Sequence, residues 1–436
     1  MAKTYAEPVS CDPRLELPSR PRRLGSERAS MVLVGILVTI SLLSLLLLAS
    51  ESLSMGGLYL ANWLGSQNHQ RQYMHLEFYQ NKPWARQYWK EHAEAQRYDF
   101  KPYVAWRKRT FVGRYVNIDP NGIRRTDNPD CSPSARQIWM FGASTLWGLG
   151  ARDQDTIASI LAKKYSKSLG PVCVTNFGES GWVSMQEIVE LELALKRAPR
   201  SPNLVLFYDG FADASAPYYT GSADVPPDFD QLRQKASRDD RQPNWAFLKA
   251  TNTYRLVQFL MDQLLRIKQD TTVPSTPSEQ QLDSYASMAA DNYLKNVRLL
   301  QSLSEQYDFR YFMFWQPLIY ANHKPLDPYE RKVLEATVNA DINLPRLYRK
   351  VTNLVFSAAD PHLVNLTDVF DRSADEIFID SGHTNPIGNG LIAERMLETI
   401  RRSGVEAAVR RPPPRALAAL RVRSGEDQGV TPASEH

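Results

Sequence analysis

Apolar positions along the chain follow three regimes. Met31 to Ser50 carries no charge and is rich in Leu, Val and Ile. At 1.5 Å per residue it predicts a helix about 30 Å long, enough to cross a bilayer. Further on, short apolar runs alternate with longer stretches of helical spacing. The runs predict strands at Gln137–Phe141, Val172–Asn176, Asn203–Tyr208, Phe309–Trp315 and Leu363–Leu366. The stretches predict helices at Thr156–Tyr165, Ser184–Ala198, Ser284–Gln306, Pro328–Ala340, Arg346–Ser357 and Pro386–Arg402. This alternation predicts a parallel sheet with helices on both faces. After Gly404 a stretch containing Arg410-Arg411-Pro412-Pro413-Pro414-Arg415 opens a polar tail, read as disordered over 406–436.

The segments between these regimes are less regular. Residues 1–30 are polar and contain Pro and Arg, which predicts an unstructured tail. Leu53 to Phe100 is rich in Trp, Tyr, Gln and His and fits helical periodicity. Its aromatics have three readings: packing onto the main domain, a position at the lipid headgroups, or stacking on sugars. Phe111 to Ile118 alternates in part and Asp119-Pro120-Asn121-Gly122 is a turn signal, so a hairpin is expected there. The resulting division is a tail at 1–30, a membrane helix at 31–50, a juxtamembrane region at 51–130 and a main domain at 131–405. An insertion at 214–282 interrupts that domain, with a helix at Asn244–Lys268 between two loop-like stretches, and it reads as a lid or as passive elaboration.

Charge adds orientation. Arg20, Arg22, Arg23 and Arg28 precede the apolar run and Glu51 follows it. The cationic flank predicts a cytoplasmic N-terminus with the remainder outside; an uncleaved anchor is favoured, and a cleaved signal peptide is the competing reading. The net charge of +4 on 436 residues is small and dispersed, which argues against a nucleic-acid surface. Of three cysteines, Cys131 and Cys173 fall on the outer side, where disulfides can form; a bridge is geometrically possible if their strands are neighbours, and two buried free thiols are the alternative. No metal-ligand spacing occurs, and neither metal nor cofactor is expected.

Four short stretches follow predicted strands: Gly142-Ala143-Ser144 with Gly148, Asn176 through Gly181, Asp209 through Asp213, and Asp380-Ser381-Gly382-His383. Open α/β sheets collect their functional groups at the strands' C-terminal ends. A serine hydroxyl needs a base to become nucleophilic. His383 is the candidate base, Asp380 the group that orients it, and the N–H groups of Ser144 and Gly181 the candidate oxyanion donors.

These four stretches resemble the blocks of the SGNH hydrolases, also called GDSL-type esterases. More narrowly, the chain is similar to membrane-anchored bacterial members with a Gly-x-Ser first block. The resemblance covers about Gln137 to Arg402. It implies a flavodoxin-like three-layer α/β sandwich with a five-stranded parallel sheet, here preceded by one transmembrane helix. It also implies a triad of Ser144, His383 and Asp380, with an oxyanion hole from Ser144 and Gly181. Two positions depart from the pattern. Ala143 replaces an Asp outside the proton relay. Ala212 replaces the Asn whose amide completes the oxyanion hole, and losing one such donor costs on the order of 10²–10³ in rate. The departure implies a slow enzyme, a substitute donor such as Asn385, or lost catalysis.

The expected function is a single-pass inner-membrane esterase or O-acyl(acetyl)transferase, its domain on the periplasmic side. Its expected substrate is an acylated small molecule or an acylated cell-envelope polysaccharide, with envelope-biosynthesis partners. The alternative is a catalytically impaired member that binds glycan or assembles an envelope complex. Trp147, Trp182 and Trp315 would then be a sugar platform, or plain core.

Overall fold

Five of the short apolar runs pair side by side: β1 (Arg136–Gly142), β2 (Val172–Asn176), β3 (Leu204–Asp209), β4 (Arg310–Trp315) and β5 (Leu363–Asn365). The computed structural model describes residues 24–74, 76–227, 229–230, 233, 251–269 and 277–404. All four pairings are parallel, and the order across the sheet is β2-β1-β3-β4-β5. That is the flavodoxin-like order, whose ligands gather beyond the C-terminal ends of the strands. The expected three-layer α/β architecture is therefore present.

Successive residues of each strand point to opposite faces. Ile138, Met140, Leu206, Tyr208, Phe312 and Phe314 share one core with helices Ile157–Leu169 and Pro386–Arg402. Trp139, Phe141, Val205, Phe207, Met313 and Trp315 share the other with helices Ser184–Arg197, Glu279–Tyr307 and Asn343–Ser357. Burial on both sides explains why the strands read as unbroken apolar runs. Helix ends carry their own signals: Asp327 and Asn385 each accept two backbone N–H bonds ahead of a proline at the first helical position.

The region ahead of the sheet differs from the helical reading of Leu53 to Phe100. Helices Glu77–Gln80 and Ala85–Glu94 form, but Tyr98–Lys101 is a strand paired antiparallel with Ala105–Lys108. Tyr103 and Ala105 take positive φ to turn between them, a conformation their side chains do not advertise. The hairpin at Phe111–Val112 and Asn117–Ile118 lies where expected. Tyr79, Tyr88 and Trp89 are fully buried in a cluster with Trp147 and Ile379. Their role is packing, not sugar or headgroup contact.

The chain divides into two compact units, Met1–Asn62 with Asn244–Thr271, and Trp63–Pro243 with Thr272–His436. The apolar run belongs to one helix, Leu24–Met74. It extends past the expected 31–50 in both directions, because no proline interrupts it; residues 24–30, expected to be unstructured, are its first turns. Within it, Ser30–Ala61 is long and apolar enough to cross a membrane. In the same unit, the Glu51 carboxylate accepts the N–H groups of Asn252 (2.6 Å) and Thr253 (3.0 Å), capping helix Asn252–Gln269. The rest of the expected N-terminal tail, the expected C-terminal tail, residues 244–250 and residues 270–276 lie outside the described residues.

Cys131 and Cys173 form a disulfide across a sequence separation of 42; the alternative of two free thiols does not hold. It ties the segment entering β1 to β2. Closing a loop of this length constrains the unfolded chain by about 4 kcal/mol in the chain-entropy model. Replacing both cysteines by serine should lower unfolding free energy by about 3–4 kcal/mol, read as a drop in the denaturant midpoint at constant m-value.

Candidate active site

The loop after β1 turns sharply into a single helical turn, Ser144–Trp147, closed by Gly148 at φ 97°. Gly142 admits no side chain, since a Cβ there would meet the Tyr208 carbonyl at 2.6 Å. Ser144 is thereby held half-buried at the rim beside β3.

The loop after β2 is pressed onto this turn. Asn176 donates to the Leu146 carbonyl (2.9 Å) and accepts from the Gly178 N–H (3.0 Å). The Glu179 N–H bonds to the Gly142 carbonyl (3.0 Å). Gly181 follows in the left-handed conformation, φ 75°, which glycine adopts without steric cost. Among the described residues, the N–H groups of Ser144 and Gly181 donate to no other acceptor.

A hairpin from outside the sheet braces the same loop. Trp106 Nε1 donates to the Ser180 carbonyl (2.9 Å), and the Arg107 guanidinium to the Phe177 carbonyl (3.0 Å). The buried Glu179 carboxylate accepts the N–H groups of Lys108 and Ser180, each at 2.8 Å. Burial pushes its pKa up, and the charges of Lys108 and Arg107 pull it back.

The last stretch brings an imidazole to the serine. His383 Nε2 lies 2.7 Å from Ser144 Oγ. On the other edge of the ring, His383 Nδ1 lies 2.7 Å from Asp380 Oδ2. With Nδ1–H directed at the carboxylate, Nε2 is left to accept the serine hydroxyl. Asp380 Oδ1 also accepts the N–H groups of Gly382 (3.0 Å) and His383 (2.8 Å). Burial alone would raise the Asp380 pKa, but the His383 charge and these hydrogen bonds outweigh it and hold the carboxyl below its ordinary value. The loop is clamped from outside: Tyr329 Oη donates to the Ile379 carbonyl (2.7 Å). Glu330, paired with the fully buried Lys324 ammonium (2.5 Å), accepts the N–H groups of Ile377 and Phe378.

Ser144, His383 and Asp380 therefore converge, with Gly181 on the loop packed against the serine turn. Asn385 does not join them. It is fully buried, caps the final helix through Oδ1 and donates Nδ2 to the Glu376 carbonyl. Trp147, Trp182 and Trp315 are at most 1 % exposed, so no sugar platform exists at these positions. The Arg124 guanidinium and the Lys108 ammonium lie 4.2 Å and 4.6 Å from the centre of the Trp147 ring. Among the described residues there is no group of His, Cys, Asp and Glu suited to a metal.

Sequence reasoning missed the braces: Trp106, Arg107, Lys108, Glu179, Lys324 and Glu330. Charge is the signal that the five ionisable ones offer, and charge alone does not reveal burial; Trp106 offers none beyond its aromatic ring. Sequence reasoning also left aside Gln316, directly after β4, although a candidate stretch follows each of the other strands. Beneath the rim lies a further acidic group. Glu187, Asp209 and Asp213 are buried together, with Tyr293 donating to Asp209 (3.3 Å) and Ser184 to Asp213 (2.5 Å). Glu187 and Asp209 are both pushed well above the ordinary carboxylate range, first by burial and then by neighbouring carboxylates.

No family model and no curated protein matches the chain. Among solved structures it is similar to a lipolytic protein of the G-D-S-L family from Veillonella parvula: 16% identity, TM-score 0.34, covering 62% of this chain and 100% of that one. It is also similar to a psychrotrophic esterase from Pseudoalteromonas sp. (14% identity, TM-score 0.31, 62% and 98% covered). An acetylxylan esterase from Geobacillus stearothermophilus is comparably remote (12% identity, TM-score 0.30, 61% and 94% covered). Likeness at this distance speaks to neither activity nor substrate.

Burial pushes the Asp213 carboxyl up to about 6, against the hydrogen bonds from Ser184. The unfolded chain releases this proton near pH 4, whereas the folded protein keeps it to about pH 6. Stability should therefore fall as pH rises through that window, by of order 2–3 kcal/mol from this group, and level off above it. Asp213→Asn removes the titration. Denaturant midpoints of the native protein should decline relative to the variant between pH 4 and 6 and run parallel above.

Proposed function

We propose that the chain is a membrane-anchored serine ester hydrolase or O-acyltransferase. The observation that carries this reading is the unbroken line from Asp380 through the His383 ring to Ser144 Oγ, each step at 2.7 Å. Ser144 Oγ attacks the ester carbonyl while His383 Nε2 takes its proton, and Asp380 steadies the imidazolium. The N–H groups of Ser144 and Gly181 receive the developing oxyanion. Collapse of the tetrahedral intermediate expels the alkoxide, which takes the proton from His383, and the acyl group stays on Ser144. Water, or a sugar hydroxyl, then attacks the acyl-enzyme with His383 again as base.

Location rests on separate support. The Cys131–Cys173 bridge suits an oxidising compartment, and the four arginines before the apolar helix suit a cytoplasmic N-terminus. Glu51 caps helix Asn252–Gln269, which favours retention of the apolar helix over its removal as a signal sequence. A domain held on the outer face of a cytoplasmic membrane meets acylated envelope polysaccharide, and that is the substrate class we assign. Ala212 favours a second reading, a binding protein with a defective oxyanion hole.

A fluorophosphonate probe should label the native protein, and p-nitrophenyl acetate should be turned over. Ser144→Ala should abolish labelling, and Asp380→Asn should lower turnover by about 10⁴-fold. Absence of labelling in folded native protein across neutral pH selects the binding reading.

A further inference from the structure

Position 212 has no side-chain donor to offer. Ala212 lies in the first turn of helix Phe211–Thr220, packed with Val183, Ala216 and Met185. The amide of Asn385 is fully committed elsewhere. One other amide stands at the rim. Gln316 immediately follows β4 and is 2 % exposed. Its main chain is pinned on both sides: its N–H donates to the Asp209 carbonyl (2.7 Å), and its carbonyl accepts from Tyr348 Oη (2.6 Å). Its side chain fills the space left by Gly210, where a Cβ would come within 2.7 Å of Gln316 Cγ.

The amide thus reaches the gap between the two catalytic loops. Oε1 accepts a long hydrogen bond from Thr145 Oγ1 (3.5 Å), the residue after the nucleophile. Nε2 lies 3.5 Å from where a Cβ on Gly382 would sit, the residue before the base. Among the described residues Nε2 donates to no acceptor. The amide thus stands beside Thr145 and Gly382, the chain neighbours of Ser144 and His383.

We propose that Gln316 supplies, from the end of β4, the side-chain N–H that position 212 lacks, donating it to the ester oxygen as negative charge develops in the transition state. The proposal rests on the serine-hydrolase reading. It makes Gln316 a catalytic residue and accounts for an active chain that carries Ala212. The hydrogen bond strengthens as the carbonyl oxygen becomes an oxyanion, so it acts on kcat rather than on substrate binding.

The test uses the full-length protein in detergent. Gln316→Met keeps the volume and removes the donor; Gln316→Glu keeps the shape and removes the N–H. Both should lower kcat for p-nitrophenyl acetate by about 10²–10³-fold with KM within about three-fold, the usual effect of one lost oxyanion donor. A phosphonate or boronate that mimics the tetrahedral intermediate should lose affinity by a similar factor. Adding Ala212→Asn to Gln316→Met should restore at least ten-fold of the lost kcat, a result that a packing role for Gln316 does not produce. Melting temperatures identify a misfolded variant, in which case the other variant decides. Turnover within about three-fold of native in either folded variant overturns the proposal while leaving the serine mechanism intact. A native protein without Ser144-dependent labelling overturns both together.

Discussion

The hydrogen bond between His383 Nε2 and Ser144 Oγ joins positions 239 residues apart, and the rest of the site depends on it. It forms only because β1 and the segment after β5 end on the same rim of one parallel sheet. A hydroxyl and an imidazole must meet within a few tenths of an ångström, yet both sit on loops. The rigidity therefore comes from what surrounds the loops. Asp380 folds its own loop by accepting two N–H groups of that loop with the oxygen Oδ1, and meets the ring with Oδ2.

Much of the bracing is ionic and buried. Lys324 with Glu330, and Arg107 and Lys108 around Glu179, place charges where burial is costly. Each compensates by satisfying backbone groups that no strand or helix serves: Glu330 caps the segment leading to Asp380, and Glu179 caps the loop leading to Gly181. Such pairs add little net stability, but losing one partner leaves the other charge stranded. Their effect is to admit a single loop geometry on each side of Ser144. The brace at Glu179 comes from the hairpin Tyr98–Lys108, so the aromatic segment before the sheet is part of the site's scaffold.

The acidic group under β3 follows a different logic. Glu187, Asp209 and Asp213 are buried together beneath the rim, and burial shifts the pKa of each upward. Ser184 donates to Asp213, Tyr293 to Asp209, and Asn296 to the Ser184 hydroxyl.

The five strands, the helices between them and the four candidate stretches were legible in the sequence because their signals are local. An unbroken apolar run bounded by turn residues means a strand buried on both faces, and Asn-Pro-Ile-Gly after His383 starts a helix through its own cap. The order of the stretches along the chain was enough to nominate Ser144, Gly181, Asp380 and His383. Other features became visible only in three dimensions. The positive φ of Tyr103 and Ala105, the burial of Arg107, Lys108 and Lys324, the employment of Asn385 as a cap and the freedom of the Gln316 amide depend on partners far away in the chain. Local periodicity reports which face of an element is apolar. Which buried polar group finds a partner, and which is left without one, is decided by the packing of distant segments.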